Sequence, residues 1–471
     1  MEKRKIAVIG AGITGLSAAY YAVKEAKQQG LGVEVTVFEA GDRVGGKIHT
    51  DYTDDFIIEL GPDSFLARKT SAANLAEEIG IDGELIRNQT GQSYILHGDT
   101  LHPMPGGSIM GVPTQLGPFA STKLLSPSGK VRAAGDLFLP RTMKDGRDQS
   151  LGTFFRKRLG NEVVDRLIEP LLSGIYAGNI DNMSLQSTFP NFQSLEDKYR
   201  SLILGMKSSM NRGGQTSKAK GTGQKQGMFF SFTGGLQSFA DAIADTLPEE
   251  SLRLQTVIER VGRTDGGYLL SIENADDVYV DDVIMTTPHY VNASLLPSFS
   301  KREMLQDIPA TSVATVALAF PKSAVKQDID GTGFIVAKTG DYTITACTWT
   351  HKKWSHAAPE DYALLRAYVG HAGNEDIVFE EDETMIDVVL NDLRKIMDID
   401  CEPEFYRIKR WKNAMPQYTV GHKDRMKEMK ETLEKEYPNL EMTGASFAGI
   451  GLPDCINQGA EAARKILAIA K

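Results

Sequence analysis

The chain has 471 residues, too many for one ordinary hydrophobic core, and so predicts two or three domains of roughly 100 to 200 residues each. With 41% hydrophobic and 24% charged residues the composition is that of a soluble globular protein, and the net charge of -10 argues against nucleic acid as a partner. Because Cys347, Cys401 and Cys455 form no C-x-x-C pair, the sequence predicts neither a zinc site nor a disulfide framework.

The amino-terminal residues predict a βαβ unit. Residues 6–9 are an apolar run typical of a strand buried on both faces, and apolar residues recur at helical spacing from Leu16. The turn between them, Gly10-Ala11-Gly12-Ile13-Thr14-Gly15, fits the G-x-G-x-x-G pattern that brings backbone close to a pyrophosphate. A second strand over 33–38 ends at Glu39, where an acidic side chain can accept a hydrogen bond from a ribose hydroxyl. The pattern predicts a dinucleotide and leaves NAD and FAD open.

The residues after the second strand favour FAD. In Ala40-Gly41-Asp42-Arg43-Val44-Gly45-Gly46-Lys47 a basic residue stands two positions before paired glycines. This pattern resembles a large class of FAD-binding oxidoreductases that includes amine oxidases and carotenoid desaturases. Arg43 and Lys47 can neutralise phosphate charge, and Gly45-Gly46 lets backbone lie close to the ribityl chain of a flavin.

A predicted strand over 56–60 runs into the turn Gly61-Pro62-Asp63-Ser64, which can place polar groups against a ring system. The surrounding run ELGPDSFLARK, with TGQSYIL and LHPMP further on, resembles the soluble bacterial porphyrinogen oxidases of haem biosynthesis, the protoporphyrinogen and coproporphyrinogen III oxidases. The resemblance places Asp63 beside the flavin, where it contacts the macrocycle or accepts a pyrrole proton. We expect Lys69 to bind substrate propionates; a surface ion pair is an equal alternative.

The next section predicts helices and one polar linker. Residues 151–173 have helical periodicity and end in LLSGIYAGN, which matches the same family and implies that Ile175 and Tyr176 lie against the tetrapyrrole. A helix end with a packed tyrosine is the alternative. Residues 207–227 are rich in glycine, serine and lysine and predict a mobile basic linker, with a catalytic lid as the alternative.

From residue 228 the chain is expected to return to the cofactor domain. FFSFTGGL resembles the FxGG turn of these flavoproteins, and a strand is predicted over 252–258. The family resemblance implies that Val257 meets the adenine through backbone atoms. Alternating segments over 268–273 and 278–285 predict an antiparallel ribbon.

A mixed sheet with a helix is predicted next, with the following bounds: strands over 314–320, 333–337, 342–348 and 363–369, and a helix over 385–397. The resemblance implies that Phe334 and Tyr368 face a substrate pocket. By residue type alone, aromatic side chains in strands are more often part of the core.

The carboxyl-terminal residues resemble the last flavin motif of the family. A strand over 440–447 and the glycines of GIGLPD lead into a closing helix whose amino end can face the isoalloxazine. The resemblance assigns to the cofactor a set of residues from this region: Trp411, Gly444, Gly449, Ile450, Gly451 and Leu452. Where many proteins that the motif resembles have an acidic residue, this chain has Ala445-Ser446. This disfavours hydrogen bonds from the ribityl hydroxyls to a side-chain carboxylate here. Cys455 is expected to be a buried inert thiol rather than a covalent flavin link.

The predicted fold class is α/β, with a Rossmann-like FAD-binding domain assembled from separated segments. The predicted domains are a cofactor domain (1–70, 228–290 and 404–471), a mostly helical insertion (71–193) and a mixed-sheet α+β substrate-binding domain (194–227 and 291–403).

The resemblance implies an FAD-dependent oxidase that converts coproporphyrinogen III to coproporphyrin III in haem biosynthesis. Three two-electron hydride-transfer steps would each be followed by reoxidation by oxygen, with release of hydrogen peroxide. No second G-x-G-x-x-G follows a predicted strand, so no NAD(P)H site competes with oxygen as the acceptor. The alternatives are a protoporphyrinogen IX oxidase, a flavin amine oxidase, a carotenoid desaturase and a non-catalytic FAD-stabilised scaffold that passes porphyrin on.

No membrane span or signal peptide is predicted. The longest apolar run, residues 313–320 with Thr315 inside it, is far shorter than the roughly 20 residues a membrane helix needs. The first predicted strand begins at once, which leaves no room for a signal peptide. We expect a cytoplasmic protein with a small-molecule tetrapyrrole substrate. Peripheral membrane contact, transient contact with a later haem-synthesis enzyme and the oligomeric state are left open.

Overall fold

The computed structural model describes residues 3–89, 91–142, 146–216, 227–327, 329–338 and 342–469. The chain forms two compact units. Unit 1 contains Met1–Arg87, Met228–Pro309 and Lys423–Lys471; unit 2 contains Asn88–Gly227 and Ala310–His422. Both units combine helices with sheets, so the predicted α/β class is confirmed.

The strands have the following bounds: β1 Arg4–Ile9, β2 Val33–Phe38, β3 Thr50–Thr53, β4 Phe56–Glu59, β5 Phe65–Leu66, β6 Leu85–Arg87, β7 Tyr94–His97, β8 Thr100–Pro103, β9 Ser108–Ile109, β10 Val112–Pro113, β11 Phe229–Phe232, β12 Leu252–Arg253, β13 Ile258–Thr264, β14 Gly267–Ile272, β15 Val278–Val280, β16 Asp282–Met285, β17 Ala310–Pro321, β18 Gly333–Val336, β19 Ile344–Trp349, β20 Tyr362–Val369, β21 Phe405–Pro416 and β22 Leu440–Met442.

The α-helices have the following bounds: α1 Ile13–Gln29, α2 Ser71–Glu78, α3 Leu116–Ser121, α4 Pro127–Ala134, α5 Leu151–Leu159, α6 Asn161–Val163, α7 Glu169–Tyr176, α8 Leu185–Thr188, α9 Pro190–Tyr199, α10 Leu202–Thr216, α11 Gly235–Asp245, α12 His289–Leu295, α13 Arg302–Gln306, α14 Thr350–Lys353, α15 Asp382–Met397, α16 His422–Glu436 and α17 Leu452–Ile469.

Unit 1 is organised around a parallel sheet in the order β12-β2-β1-β16-β22. The predicted strands over 6–9 and 33–38 are confirmed. The unbroken apolar run over 6–9 suits a strand covered on both faces, and in 33–38 apolar residues alternate with Glu34 and Thr36. Helices α1 and α17 pack so closely that a Cβ on Gly459 would lie 2.3 Å from the Thr14 carbonyl oxygen. The amino ends of both helices are thereby held in the same unit as the sheet.

The predicted antiparallel ribbon is only partly correct. β14 pairs with β13 and β15 as an antiparallel sheet, but β16 pairs in parallel with β1. The segment predicted as one strand over 278–285 is thus two strands, divided at Asp281. The second strand leaves the ribbon because its four residues are all buried and its apolar side chains fill the central sheet.

Unit 2 contains a seven-stranded mixed sheet in the order β21-β17-β20-β19-β18-β7-β8. The four predicted strands and the predicted helix of this region are confirmed, with small changes at their ends. Helix α15 packs its apolar residues, among them Met385, Val389 and Leu393, into the core on one face of this sheet. The opposite face carries more polar side chains.

Two predicted segments have a different local structure. The helix predicted over 151–173 breaks at Gly160, whose φ of 87° lies outside the helical region, and continues through α6, a π-helical segment Val164–Ile168 and α7. The segment predicted as a mobile linker from residue 207 is helical as far as Thr216, at the end of α10. Residues 217–226 of that segment lie outside the described residues.

The predicted cofactor domain resumes at residue 404, whereas unit 1 resumes at Lys423. β21 accounts for the difference, because it pairs along its length with β17 of unit 2. The division of the remaining chain into a helical insertion and a mixed-sheet domain stays a prediction.

The buried carboxyl of Asp282, at the start of β16, makes the stability of unit 1 dependent on pH. Burial, offset in part by Arg4, raises the pKa of Asp282 from 3.8 to about 6. Because folding then favours the protonated form, this contribution to stability is complete below about pH 4 and is lost as the pH rises through about 6. We expect the wild-type protein to lose stability relative to Asp282→Asn across that interval. Denaturation midpoints measured against pH test this, with Asp281→Asn as the control, and a constant difference would contradict it.

Candidate functional site

The glycine turn after β1 is shaped for a bound anion. A Cβ on Gly15 would lie 1.9 Å from the Gly10 carbonyl oxygen, whereas a Cβ on Gly12 would meet nothing within 4 Å. The third glycine therefore permits close packing, and the second leaves open space beside the backbone. Ile13 and Thr14 begin α1, and no described side chain caps this helix end, so its first N–H groups can receive a phosphate.

Glu39 joins this turn to the end of β2. Its two carboxylate oxygens accept hydrogen bonds from the N–H of Ala11, at 2.7 Å, and from the N–H of Gly41, at 2.8 Å. The acid, with Ala40 after it, is thus fixed at the edge of the turn. A carboxylate has lone pairs left for a ribose hydroxyl after two such bonds, so the predicted contact fits this position.

Arg43 shapes the second glycine loop. Its guanidinium donates to the carbonyl oxygens of Val44, Gly46 and Ile48 at 2.7 to 3.0 Å. The N–H of Gly45 donates to the Ala11 carbonyl at 2.8 Å, so the two glycine motifs lie side by side. These contacts show that Arg43 stabilises the loop, a role that its charge alone did not predict. Gln237, whose side-chain oxygen accepts a further hydrogen bond from Arg43, was not singled out from the sequence.

Lys47 directly follows the paired glycines of this loop. Its side chain is accessible by surface area, yet protein surrounds it closely enough that desolvation lowers its pKa below the ordinary value. Both observations fit a side chain facing an internal cavity. Gly61 packs against it, since a Cβ there would lie 1.9 Å from the Lys47 carbonyl oxygen. The turn that continues through Pro62, Asp63 and Ser64 is thereby held next to Lys47.

The loop before α17 is fixed by Gln458, which the sequence did not single out. Its side-chain oxygen accepts from the N–H of Gly444 at 3.2 Å, and its amide donates to the Gly449 carbonyl at 3.0 Å. Ile450, Gly451 and Leu452 follow at the amino end of the helix. A glutamine nearly two turns after the start of a helix gives no sequence signal of this bridging role.

Ser446 and Cys455 bear on two predictions made from the sequence for this loop, the lack of a carboxylate and an inert thiol. Ser446, which stands where a carboxylate grip was disfavoured, lies 3.1 Å from the imidazole of His289, so a hydroxyl and an imidazole meet at that position. Burial raises the pKa of Cys455 to about 11, as expected for an inert thiol.

Lys69 forms an ion pair with Asp454 in the first turn of α17. Its ammonium lies 2.7 and 2.5 Å from the two carboxylate oxygens, and both side chains are partly exposed. The expected contact with a propionate therefore requires the ammonium to be shared with Asp454 or released by it. Asp63 lies on the turn that precedes this lysine, with its carboxylate accepting from Ser64 at 2.7 Å.

In unit 2, the adjacent residues Ile175 and Tyr176 have opposite environments. Ile175 is 42% exposed, while Tyr176 is 6% exposed and packs edge to face with Tyr418 and Phe189. The amide of Gln417 donates to the Tyr176 carbonyl at 2.8 Å. An exposed isoleucine beside an anchored tyrosine fits an apolar ligand contact at the end of α7.

Phe334 and Tyr368 lie on opposite faces of the seven-stranded sheet. Phe334 pairs with Cys347 on β19, whereas Tyr368 pairs with the next residue, Ala346. Phe334 is 3% exposed and packs in the core that α15 covers. Tyr368 lies on the more polar face, its hydroxyl 3.4 Å from the Thr348 hydroxyl. Side-chain contact with one ligand is therefore expected of Tyr368 and not of Phe334.

The remaining predicted cofactor residues lie in different units. The Val257 carbonyl accepts from the N–H of Glu273 at 2.9 Å in unit 1. Trp411 lies on β21 of unit 2, with the Lys409 ammonium 5.3 Å from its ring centre. Among the described residues, no group of histidine, cysteine, aspartate or glutamate could hold a metal ion. None of the helices that the structure describes is long and apolar enough to cross a membrane.

Close relatives of known name match almost the whole chain. It is 51% identical to the coproporphyrinogen III oxidase of Bacillus subtilis (97% of this chain, 96% of the relative). It is 43% identical to the Staphylococcus aureus protein of the same name (99% of each). A crystal structure of a candidate protoporphyrinogen oxidase from Exiguobacterium sp. 255-15 is 39% identical, with a TM-score of 0.88 over 100% of both chains.

The family model described as flavin containing amine oxidoreductase matches residues 13–467. The match begins at the first residue of α1 and runs through most of α17, so it includes the second glycine loop of unit 1, at Gly45-Gly46, and the sheet of unit 2. The open space beside the backbone at Gly12 fits the flavin that this family binds. The resemblance drawn from the sequence is confirmed, and the chain belongs to the flavin containing amine oxidoreductase family.

Proposed function

We propose that the protein is an FAD-dependent porphyrinogen oxidase whose substrate is coproporphyrinogen III. The supporting observation is the 51% and 43% identity, over nearly the full length, to relatives named coproporphyrinogen III oxidase. FAD is favoured because the turn at Gly12 suits a pyrophosphate and Glu39 suits a ribose, which together need a dinucleotide.

When bound, the flavin would be the acceptor of a hydride, that is, two electrons and one proton, from the substrate. The protein supplies placement. In unit 2, Ile175 and Tyr368 offer an apolar and a polar contact to the macrocycle. Three two-electron oxidations convert the porphyrinogen to the porphyrin, and oxygen takes up the electrons as hydrogen peroxide.

Mixing the FAD-loaded enzyme with coproporphyrinogen III without oxygen is expected to bleach the flavin absorbance. Readmitting oxygen should restore it, with three molecules of peroxide formed per porphyrin. Primary amines are the matched control and should leave the spectrum unchanged, because Lys69, the residue expected to bind propionates, is itself a cation. Bleaching by amines, or faster turnover of protoporphyrinogen IX under identical conditions, would contradict the proposal. Absence of bleaching by every donor would support the non-catalytic scaffold.

A further inference from the structure

The first turn of α17 carries a carboxylate that packs against the glycine loop before the helix. Asp454 is the acidic residue of this turn. A Cβ added to Gly451 would lie 2.9 Å from Oδ2 of Asp454, and a Cβ added to Gly449 would lie 3.1 Å from the Cβ of Asp454. The loop that the sequence predicts to face the isoalloxazine is therefore in contact with a negatively charged side chain.

The charge of Asp454 opposes the electrostatic effect of the helix end on a flavin. The N–H groups at the start of a helix carry partial positive charge, which favours an anion beside them. A hydride brings two electrons and one proton, so the reduced flavin has one more negative charge than the oxidised flavin. Without a cation beside it, Asp454 would repel that charge and make the flavin harder to reduce.

Lys69 places the opposite charge against Asp454. Its ammonium lies 2.7 Å from Oδ1 and 2.5 Å from Oδ2, so it binds both oxygens of the carboxylate. The N–H of Lys69 donates to the Leu66 carbonyl at 3.0 Å, and the Ser71 hydroxyl donates to the Pro453 carbonyl at 2.8 Å. The ion pair is thus fixed at the amino end of α17 by backbone contacts on both of its sides.

The charges of this ion pair act on the buried side of the helix start. Cys455, the residue after Asp454, is 4% exposed. Burial raises the pKa of Cys455 to about 11; the carboxylate of Asp454 acts in the same direction, and the ammonium groups of Lys69 and Lys47 act in the opposite direction. Although Lys69 and Asp454 are partly exposed, their electrostatic effect therefore extends into the protein interior.

Stability alone does not account for the ion pair. Pairs between partly exposed side chains contribute little to stability, and the hydrogen bond from Ser71 to Pro453 already joins the same two segments. An acidic residue in the first turn favours a helix by itself, which explains Asp454. It does not explain why a lysine 385 residues away binds both oxygens of that carboxylate.

We propose that the Lys69–Asp454 ion pair sets the reduction potential of the bound flavin, because Lys69 cancels the negative charge that Asp454 places at the amino end of α17. This inference rests on the FAD binding of the proposed function. Loss of the lysine would leave a negative charge beside the glycine loop, and loss of the acid would leave a positive charge there. The two changes therefore shift the potential in opposite directions, whereas loss of a structural contact affects both variants alike.

The test replaces Lys69 by methionine and Asp454 by asparagine, singly and together, in the FAD-loaded full-length protein. The reduction potential is measured by equilibration with reference dyes and without substrate, so that the expected contact of Lys69 with a propionate does not enter. At a fixed potential, Lys69→Met should lower the ratio of reduced to oxidised flavin about tenfold and Asp454→Asn should raise it about tenfold, each about 30 mV for a two-electron couple. The double variant should match the wild type, because both charges are removed.

Lys24→Met and Glu78→Gln are the matched controls. Lys24 and Glu78 form an ion pair of similar exposure in unit 1, between the carboxyl-terminal half of α1 and the end of α2, and both variants should keep the wild-type potential. Shifts of the same sign in Lys69→Met and Asp454→Asn, or no shift in either, would overturn the inference. Opposite shifts in a protein that oxidises no porphyrinogen would uphold it and reject the proposed function. A wild-type protein that binds no flavin would overturn both.

Discussion

Replacing Gly15 by alanine is expected to destabilise unit 1 by about 3 kcal/mol or more and to prevent flavin binding. The added methyl would lie 1.9 Å from the Gly10 carbonyl oxygen and 2.8 Å from the Thr286 hydroxyl. The first of these atoms is backbone between β1 and α1, so no side-chain rotation can remove the clash. The turn would have to open, and with it the amino end of α1.

Gly12→Ala separates the loss of packing from the loss of cofactor contact. Gly12 has φ −68° and ψ 174°, which alanine adopts readily, and its Cβ would meet nothing within 4 Å. We therefore expect this variant to fold with nearly normal stability and to bind FAD about tenfold more weakly, because the methyl occupies the approach of the pyrophosphate. Thermal denaturation of the FAD-free proteins measures the first effect, and flavin titration measures the second. Equal stability of the two variants, or normal FAD affinity of Gly12→Ala, would contradict this assignment.

Patterns that depend on neighbouring residues in the chain were predicted from the sequence. The strand over 6–9 and the glycine turn before α1 were predicted because an unbroken apolar run and closely spaced glycines are local signals. β1 and β2 pair in parallel as the predicted βαβ unit requires, whereas β16, predicted as part of an antiparallel ribbon, pairs in parallel with β1.

Features that depend on register or distant partners were not predicted. Phe334 and Tyr368 both lie in correctly predicted strands, but only the pairing of β18, β19 and β20 shows that they face opposite sides. Arg43 has the positive charge expected of a phosphate contact, yet its donors are directed at carbonyl oxygens of its own loop. Gln458 joins two glycines that precede it by 9 and 14 residues, a relation that residue type cannot indicate.

Breaking a buried ion pair in unit 2 is expected to lower the stability of the protein by an amount similar to that expected for Gly15→Ala. Arg158 and Asp136 are both 0% exposed, and the guanidinium Nε donates to the Asp136 carboxylate at 2.5 Å. A second acid, Glu196, lies 3.3 Å from the same guanidinium and is 1% exposed. The other oxygen of Asp136 accepts from the Ser201 hydroxyl and the N–H of Ile203. This network joins α5 to the start of α10 and to the segment after α4.

Arg158→Met is expected to destabilise the protein by about 3 to 5 kcal/mol, because it leaves two buried carboxylates without their shared cation. Asp136→Leu should be less damaging, since Glu196 still lies beside the guanidinium. Arg156→Met is the control: this arginine is on the same helix, its ion pairs with Asp165 and Asp181 are partly exposed, and its loss should amount to less than about 1 kcal/mol. Urea denaturation of the three variants gives the comparison. If Arg158→Met and Arg156→Met unfold at the same urea concentration, the buried network contributes no more to stability than a surface ion pair.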